Sequence, residues 1–136
     1  MSLYLHCQDI EFELEEEEKI IAWLQNISER EGSSIEHVNY IFCSDEFLLQ
    51  INQKYLQHDY YTDIITFPFN YDPIEADMYI SIDRIKDNAL KEGEAFKNEL
   101  CRVMVHGLLH MLGYKDKTSA DQKQMRQMED SCLNIL

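Results

Sequence analysis

The chain has 136 residues, of which 45% are hydrophobic and 28% are charged, an ordinary composition for a globular protein. Its formal net charge of −14 argues against a simple basic nucleic-acid-binding protein, and no apolar run approaches the roughly 20 residues that span a bilayer. The N-terminal sequence lacks the basic and apolar regions of a signal peptide. We therefore expect a single cytoplasmic domain over residues 1–136 that does not bind membranes.

Hydrophobic periodicity predicts the elements of the chain in order. The first half alternates strands with helices, and the first helix begins in an acidic run that suits the positive end of the helix dipole. Ser44 or Asp45 can cap the second helix. The predicted elements are a strand at Tyr4–Phe12, a helix from about Glu15 to near Gly32, a strand at Glu36–Ser44 and a helix from about Glu46 to Tyr55.

The second half begins with two predicted strands and ends in helices. Pro68 indicates an edge strand or a strand end, because proline cannot donate to a sheet ladder, and Thr118 or Ser119 can cap the last helix. The predicted elements are strands at Asp63–Phe69 and Asp77–Ile82, and helices from Ile85 to about Glu92, from about Phe96 to Leu112 and from Ser119 to Leu133. The order predicts an α+β fold, a small mixed β-sheet of about four strands covered by about five helices.

A candidate metal site lies at the end of the long, largely buried helix, where residues 106–116 read HGLLHMLGYKD. His106 and His110 are four residues apart, so both imidazoles project from one helix face. Gly113 can end the helix in a left-handed conformation, and the next three residues bring Asp116 back toward the histidines. Two imidazoles and a carboxylate leave a fourth position for water, which is typical of catalytic zinc. We predict one zinc ion, or a similar divalent metal, on these three side chains.

The spacing coincides with the metzincin protease template H-E-x-x-H-x-x-G-x-x-H, but the glutamate position holds Gly107. In a metalloprotease that glutamate is the general base, so peptide hydrolysis by this route is disfavoured. Phosphodiester cleavage depends less on a side-chain base, because a metal ion can itself activate water and neutralise phosphoryl charge. The pattern favours phosphodiester cleavage, and a divergent metallohydrolase such as a protease is the alternative.

Charge is unevenly distributed along the chain. The first 50 residues contain 12 acidic and 2 basic side chains, whereas basic residues outnumber acidic ones between Lys97 and Arg126. Any one of these charges is usually solvated helix surface, but their clustering around the motif is compatible with a local anion site. Lys115, Lys117 and Arg102 are the candidate contacts to a phosphate group.

Three segments resemble the bacterial YbeY family of endoribonucleases and rRNA maturation factors. HGLLHMLGY at 106–114 is similar to that family's H-G-x-L-H-L-x-G-Y signature. INQKYLQHDYYTDIITFPF at 51–69 resembles its L-N-x-x-Y-R-x-x-D-x-P-T-D-V-L-S-F block, and ADMYISID at 76–83 is similar to its G-D-I-x-I-S strand. The resemblance runs from Ile51 to about Met128 in the family's order.

The resemblance implies a single zinc-like site in an α+β fold that acts on single-stranded RNA, notably the 3′ end of 16S rRNA, in ribosome biogenesis. It implies rRNA and the ribosome or ribosomal proteins as partners. His106 and His110 match the first two ligands, and Asp116 falls where the family usually has a histidine. Lys115 replaces the family's aspartate and partly restores the positive potential that the carboxylate removes. Leu56 stands where the family usually has an arginine thought to help with phosphate.

Asp63 is a further candidate, because Thr62 and Asp63 match the T-D of the family block. Either Asp63 supports a histidine from outside the ligand set, or it belongs to the turn before a strand. We take His106, Lys115 and Asp63 as the candidate catalytic residues.

A non-catalytic function is also open. Leu56 and the acidic surface favour a module that binds rRNA or ribosomal proteins and uses its metal for structure. Metal content, measured together with turnover of single-stranded and duplex RNA, separates this alternative from a nuclease and from a protease.

Overall fold

The computed structural model describes residues 2–136, which fold into four strands and five helices. In chain order they are β1 (Ser2–Cys7), α1 (Glu17–Arg30), β2 (Ile35–Cys43), α2 (Asp45–Leu56), β3 (Ile64–Tyr71), β4 (Ile74–Ser81), α3 (Ile82–Glu92), α4 (Phe96–Met111) and α5 (Ser119–Asn134). The predicted α+β fold with a small mixed sheet is confirmed. Within the described residues, no helix is long and apolar enough to cross a membrane.

The strands of residues 2–136 form one sheet in the order β1-β2-β4-β3. β1, β2 and β4 are parallel, and β3 lies at one edge, antiparallel to β4. Pro68 is on that edge strand, beside a register shift between Pro68 and Asn70. Its missing N–H therefore interrupts no central ladder, and the prediction that Pro68 marks an edge is confirmed.

The first strand is shorter than predicted. β1 ends at Cys7 and does not continue to Phe12. The Phe12 ring packs edge-on against Phe42 and Phe96, with 5.1 and 5.8 Å between ring centroids. Phe12 therefore lies outside the sheet, and its ring packs against the core through these aromatic contacts.

The connections around β4 are also tighter than predicted. β4 begins at Ile74, not at Asp77, so only residues 72 and 73 separate it from β3. α3 begins at Ile82, directly after β4 and three residues before the predicted start at Ile85. The Ser81 hydroxyl accepts a hydrogen bond from a main-chain N–H in the first turn of α3, and this cap permits the abrupt change from strand to helix.

Helices cover both faces of the sheet. On one face the sheet packs with α1, α3, α4 and α5 into the main core. On the other face, Leu48 and Ile51 of α2 form a smaller cluster with Ile65 of β3. The Tyr40 hydroxyl on β2 donates to the Met104 carbonyl on α4 at 2.7 Å. α4 is therefore fixed against the sheet, and its C-terminal end sets the position of the two histidines.

Gly107 lies where α4 approaches β3 and β4 most tightly among the described glycines. A Cβ atom at this position would lie 2.7 Å from Met78 Sδ and 2.8 Å from Ile64 Cδ1, closer than a Cβ atom normally approaches another heavy atom. Met78 is fully buried, so its sulfur has little room to move. The position that holds the general base in a metzincin therefore faces the sheet here, and the absence of a side chain allows the helix to pack.

Gly107→Ala should lower the free energy of unfolding by about 1 kcal/mol. Overpacking a core costs about 1–3 kcal/mol, and the better helix propensity of alanine offsets about 1 kcal/mol of that. Ile64→Val removes the clashing Cδ1 atom, so Gly107→Ala should cost less in that background. Urea unfolding of the four proteins of this double-mutant cycle measures the coupling. A Gly107→Ala protein about 1 kcal/mol more stable than the parent would contradict the close packing.

Candidate metal centre

His106 and His110 lie on the last turns of α4, and their rings meet edge to face, with 4.6 Å between centroids and 85° between planes. Their Nε2 atoms are 3.0 Å apart. Asp116 Oδ2 lies 3.2 Å from His110 Nε2 and 3.4 Å from His106 Nε2. The donor atoms of all three residues lie within 4.8 Å of one another, as one metal ion would require. The structure thus brings together the three residues that the sequence selects as ligands.

The end of α4 positions Asp116. Gly113 has φ 102°, in the left-handed region that favours glycine. The main-chain N–H of Tyr114 donates to the Leu109 carbonyl at 3.0 Å and that of Gly113 to the His110 carbonyl at 3.1 Å, so the helix closes with its last carbonyls satisfied. The helix end predicted at Gly113 is confirmed, and the chain turns back there toward the histidine face.

Each imidazole is held from its other nitrogen. We assign the ring protons to Nδ1, so that His106 donates to Glu129 Oε2 at 2.7 Å and His110 donates to the Tyr114 carbonyl at 3.0 Å. This tautomer leaves both Nε2 lone pairs directed at the space beside Asp116. Metal-binding histidines in proteins are fixed in this way by a carboxylate or a carbonyl. The donor set and its outer hydrogen bonds therefore fit a zinc-like ion.

Glu129 is a residue of the site that the sequence reasoning missed. Its side chain is only 7% exposed, and Arg102 Nη1 lies 3.1 Å from its Oε1 atom. Arg102 Nη2 is 2.9 Å from Asp130 Oδ1. One carboxylate thus joins α5 to both Arg102 and His106 on α4. This placement favours a positioning role for Arg102, whose contact with phosphate stays a prediction.

The surroundings of the ligands shift two pKa values. Burial lowers the pKa of His106, but the hydrogen bond and charge of Glu129, together with Asp116 and Asp63, raise it above the ordinary value overall. Burial raises the pKa of Asp63, which the neighbouring His106 only partly opposes. Because a metal needs the neutral imidazole, protons compete for His106 at a higher pH than for a free histidine.

A cleft of about 330 Å³ opens beside the three candidate ligands. Asp63 lies directly before β3, lines this cleft and accepts a hydrogen bond from the Asn88 side chain at 3.4 Å, and its catalytic role stays a prediction. Lys115 and Lys117 are exposed on either side of Asp116 in the sequence. Within residues 2–136, neither ammonium group forms an ion pair, so both are free to meet an anion.

Comparison with known proteins identifies one family. The model of the family described as endoribonuclease YbeY matches residues 4–136. An endoribonuclease YbeY of Cytophaga hutchinsonii is 48% identical over 98% of this chain and 95% of its own. That of Parabacteroides distasonis is 36% identical over 100% and 96%. The solution structure of a Thermotoga maritima protein superposes with a TM-score of 0.70 at 25% identity, covering 97% of this chain and 87% of that protein.

Proposed function

The chain belongs to the YbeY family of endoribonucleases, and on that premise we propose that it is a metal-dependent, single-strand-specific endoribonuclease. Its proposed substrate is rRNA, with the 3′ end of 16S rRNA as the target during ribosome biogenesis in the cytoplasm. The observation that carries the proposal is the convergence of donor atoms from His106, His110 and Asp116, with both Nδ1 atoms already engaged. The endoribonuclease names of the relatives support the reaction class.

His106, His110 and Asp116 would hold the zinc or similar divalent ion. When bound, the ion supplies Lewis acidity at the phosphoryl group and lowers the pKa of water. Glu129 and the Tyr114 carbonyl keep the imidazoles in the tautomer that such binding needs. Asp63 lines the cleft as the proposed acid–base group, and burial raises its pKa above the ordinary value.

The charge around the ligands determines how phosphate is attracted. Asp116 adds one negative charge that a third histidine would not carry, which weakens the attraction of the centre for a phosphate group. Lys115 and Lys117 flank that carboxylate in the sequence and carry the proposed phosphate contacts. The acidic N-terminal half suits a basic partner, such as a ribosomal protein, better than it suits RNA.

The test is turnover of matched single-stranded and duplex RNA by purified protein, with metal content measured on the same sample. We expect cleavage of the single strand alone, lost on chelation and in His110→Ala. The control is His37→Ala, which changes an exposed histidine on β2 outside the cleft. Cleavage by His110→Ala at the parent's rate would contradict the proposal.

The same samples decide between the alternatives. A protease would degrade an unfolded protein such as casein in a His110-dependent way, but Gly107 offers no general base and faces the sheet. A non-catalytic module, which Leu56 in the cleft favours, would bind metal and RNA without turnover. We expect cleavage of RNA and no peptidase activity.

Changing Lys115 and Lys117 together to alanine should weaken the binding of single-stranded RNA and reduce its salt dependence. Each phosphate contact contributes about 0.7 to the slope of log affinity against log salt, so the slope should fall by up to about 1.4. Affinity measured from low to moderate salt gives the slope for the parent and the double variant. Coincident slopes would assign the lysines to solvated surface and pass the phosphate contact to Arg102, Lys97 or the metal.

A further inference from the structure

One wall of the metal cleft contains no lysine or arginine side chain. Leu56 ends α2, His58 and Tyr60 follow in the loop before β3, and all three line the cleft that also contains the metal-binding residues. The side chains of Leu56 and Tyr60 are 42% and 55% exposed. A phosphate group finds no lysine or arginine on this wall, whereas every nucleobase has a flat π-face that an aromatic ring can stack on.

The Tyr60 ring is held in place before any ligand binds. The His58 ring stacks on it with 5.2 Å between centroids and 19° between planes, and the Tyr60 hydroxyl lies 3.1 Å from His58 Nδ1. The buried Asn52 side chain donates to the Tyr60 carbonyl at 2.9 Å, and the Asn52 carbonyl accepts from the His58 N–H at 3.1 Å. The loop is already fixed to α2. Stacking of a ligand on Tyr60 therefore costs less entropy for ordering the loop.

Neighbouring exposed tyrosines are engaged or placed elsewhere. The Tyr61 hydroxyl donates to Glu46 Oε1, and the Arg84 guanidinium lies over the Tyr61 ring at 5.3 Å from its centroid. Tyr71 is 59% exposed at the end of β3 and does not line the cleft. Among the described residues, Tyr60 is therefore the tyrosine that the metal cleft itself presents.

We infer that Tyr60, backed by His58, stacks an unpaired nucleobase of the RNA strand bound at the metal ligands, with Leu56 packing against the same nucleotide. This inference rests on the proposed endoribonuclease function. In a duplex both faces of a base are covered by its neighbours, so the ring selects single-stranded RNA. All four bases have a π-face, so the site should show little base preference. Stacking also supplies affinity that salt does not screen, which suits a strongly acidic chain.

The experiment compares Tyr60→Ala with the parent, both loaded with metal, on a short unstructured RNA that carries 2-aminopurine. The fluorescence of 2-aminopurine falls when the base stacks, and rapid mixing records binding before cleavage develops. We expect Tyr60→Ala to bind about 5- to 150-fold more weakly, the range that loss of one base–aromatic stack covers. The quenching should be lost, while the salt slope of binding should stay that of the parent.

Two further variants complete the test. Tyr60→Phe keeps the ring and should retain affinity and quenching, and Tyr71→Ala removes an equally exposed tyrosine outside the cleft and should behave as the parent. Parental affinity and quenching in Tyr60→Ala would overturn the inference and leave the proposed function intact. A Tyr60→Phe protein as weak as Tyr60→Ala would also overturn it, because the hydroxyl would then be the contact. A parent that binds no single-stranded RNA would overturn both the inference and the proposed function.

Discussion

Replacing Asp116 with alanine should remove both the metal and the RNA-cleaving activity. The variant keeps the two histidines but loses the carboxylate whose Oδ2 atom lies 3.2 and 3.4 Å from their Nε2 atoms. Losing an outer hydrogen-bonding partner of a ligand costs about 10- to 100-fold in metal affinity. Since Asp116→Ala removes a proposed ligand itself, we expect a loss of metal affinity greater than about 100-fold. Competition with a chelator of known affinity measures it.

Asp116→His is the matched variant for this experiment. Histidine and aspartate both suit tetrahedral zinc, so Asp116→His should keep the metal and the activity. It also removes one negative charge beside the substrate, so RNA binding should strengthen. Full metal occupancy in Asp116→Ala would exclude Asp116 from the ligand set. Loss of metal in both variants would show that the loop and not the donor atom is what matters.

Glu129→Gln should lower metal affinity by about 10- to 100-fold although residue 129 is not a ligand. The carboxylate accepts from Arg102 with Oε1 and from His106 with Oε2, whereas the glutamine amide has a single oxygen for the two donors. One of them must therefore lose its partner. If His106 loses its partner, its ring is free to change tautomer and to rotate. Breaking a buried ion pair lowers the free energy of unfolding by about 3–5 kcal/mol. We expect a smaller loss of stability here because Asp130 still pairs with Arg102.

Asp130→Asn separates the metal effect from the stability effect. Asp130 lies 2.9 Å from Arg102 Nη2 and, unlike Glu129, forms no hydrogen bond with His106 within the described residues. It should therefore reduce stability slightly and leave metal affinity unchanged. Chelator competition and urea unfolding on both variants give the two quantities. Equal losses of metal affinity in Glu129→Gln and Asp130→Asn would point to a general loosening of α5 and against a specific hydrogen bond to His106.

The parts of the site that could be predicted from the sequence depend on local signals. Helical periodicity places His106 and His110 on one face, and a glycine at 113 ends the helix because it accepts a left-handed conformation. The strand and helix boundaries were less predictable. Phe12 and Ile82 lie at junctions where tertiary packing and a serine cap outweigh the local hydrophobic pattern.

The outer partners of the imidazoles could not be predicted, because they depend on how α5 packs against α4. The sequence does contain one signal for Glu129. It lies between the buried residues Met125 and Cys132, on the apolar face of α5. A carboxylate in that position requires a buried partner. Arg102 likewise lies on a buried stretch of α4, where it pairs with Glu129. Its charge, taken alone from the sequence, predicts a contact to phosphate instead.

During translation the residues of this centre are added in the order His106, His110, Asp116 and Glu129. All of them come after Ser81, where the last strand of the sheet ends. A domain folds as a unit, so the centre forms only after the segments that supply its residues have been made. A chain interrupted between residues 110 and 116 therefore has both histidines but not the third candidate ligand, and one interrupted between residues 116 and 129 has no carboxylate to orient His106. For an enzyme whose proposed substrate is rRNA, this order of synthesis means that the complete proposed metal centre exists only once residue 129 has been added.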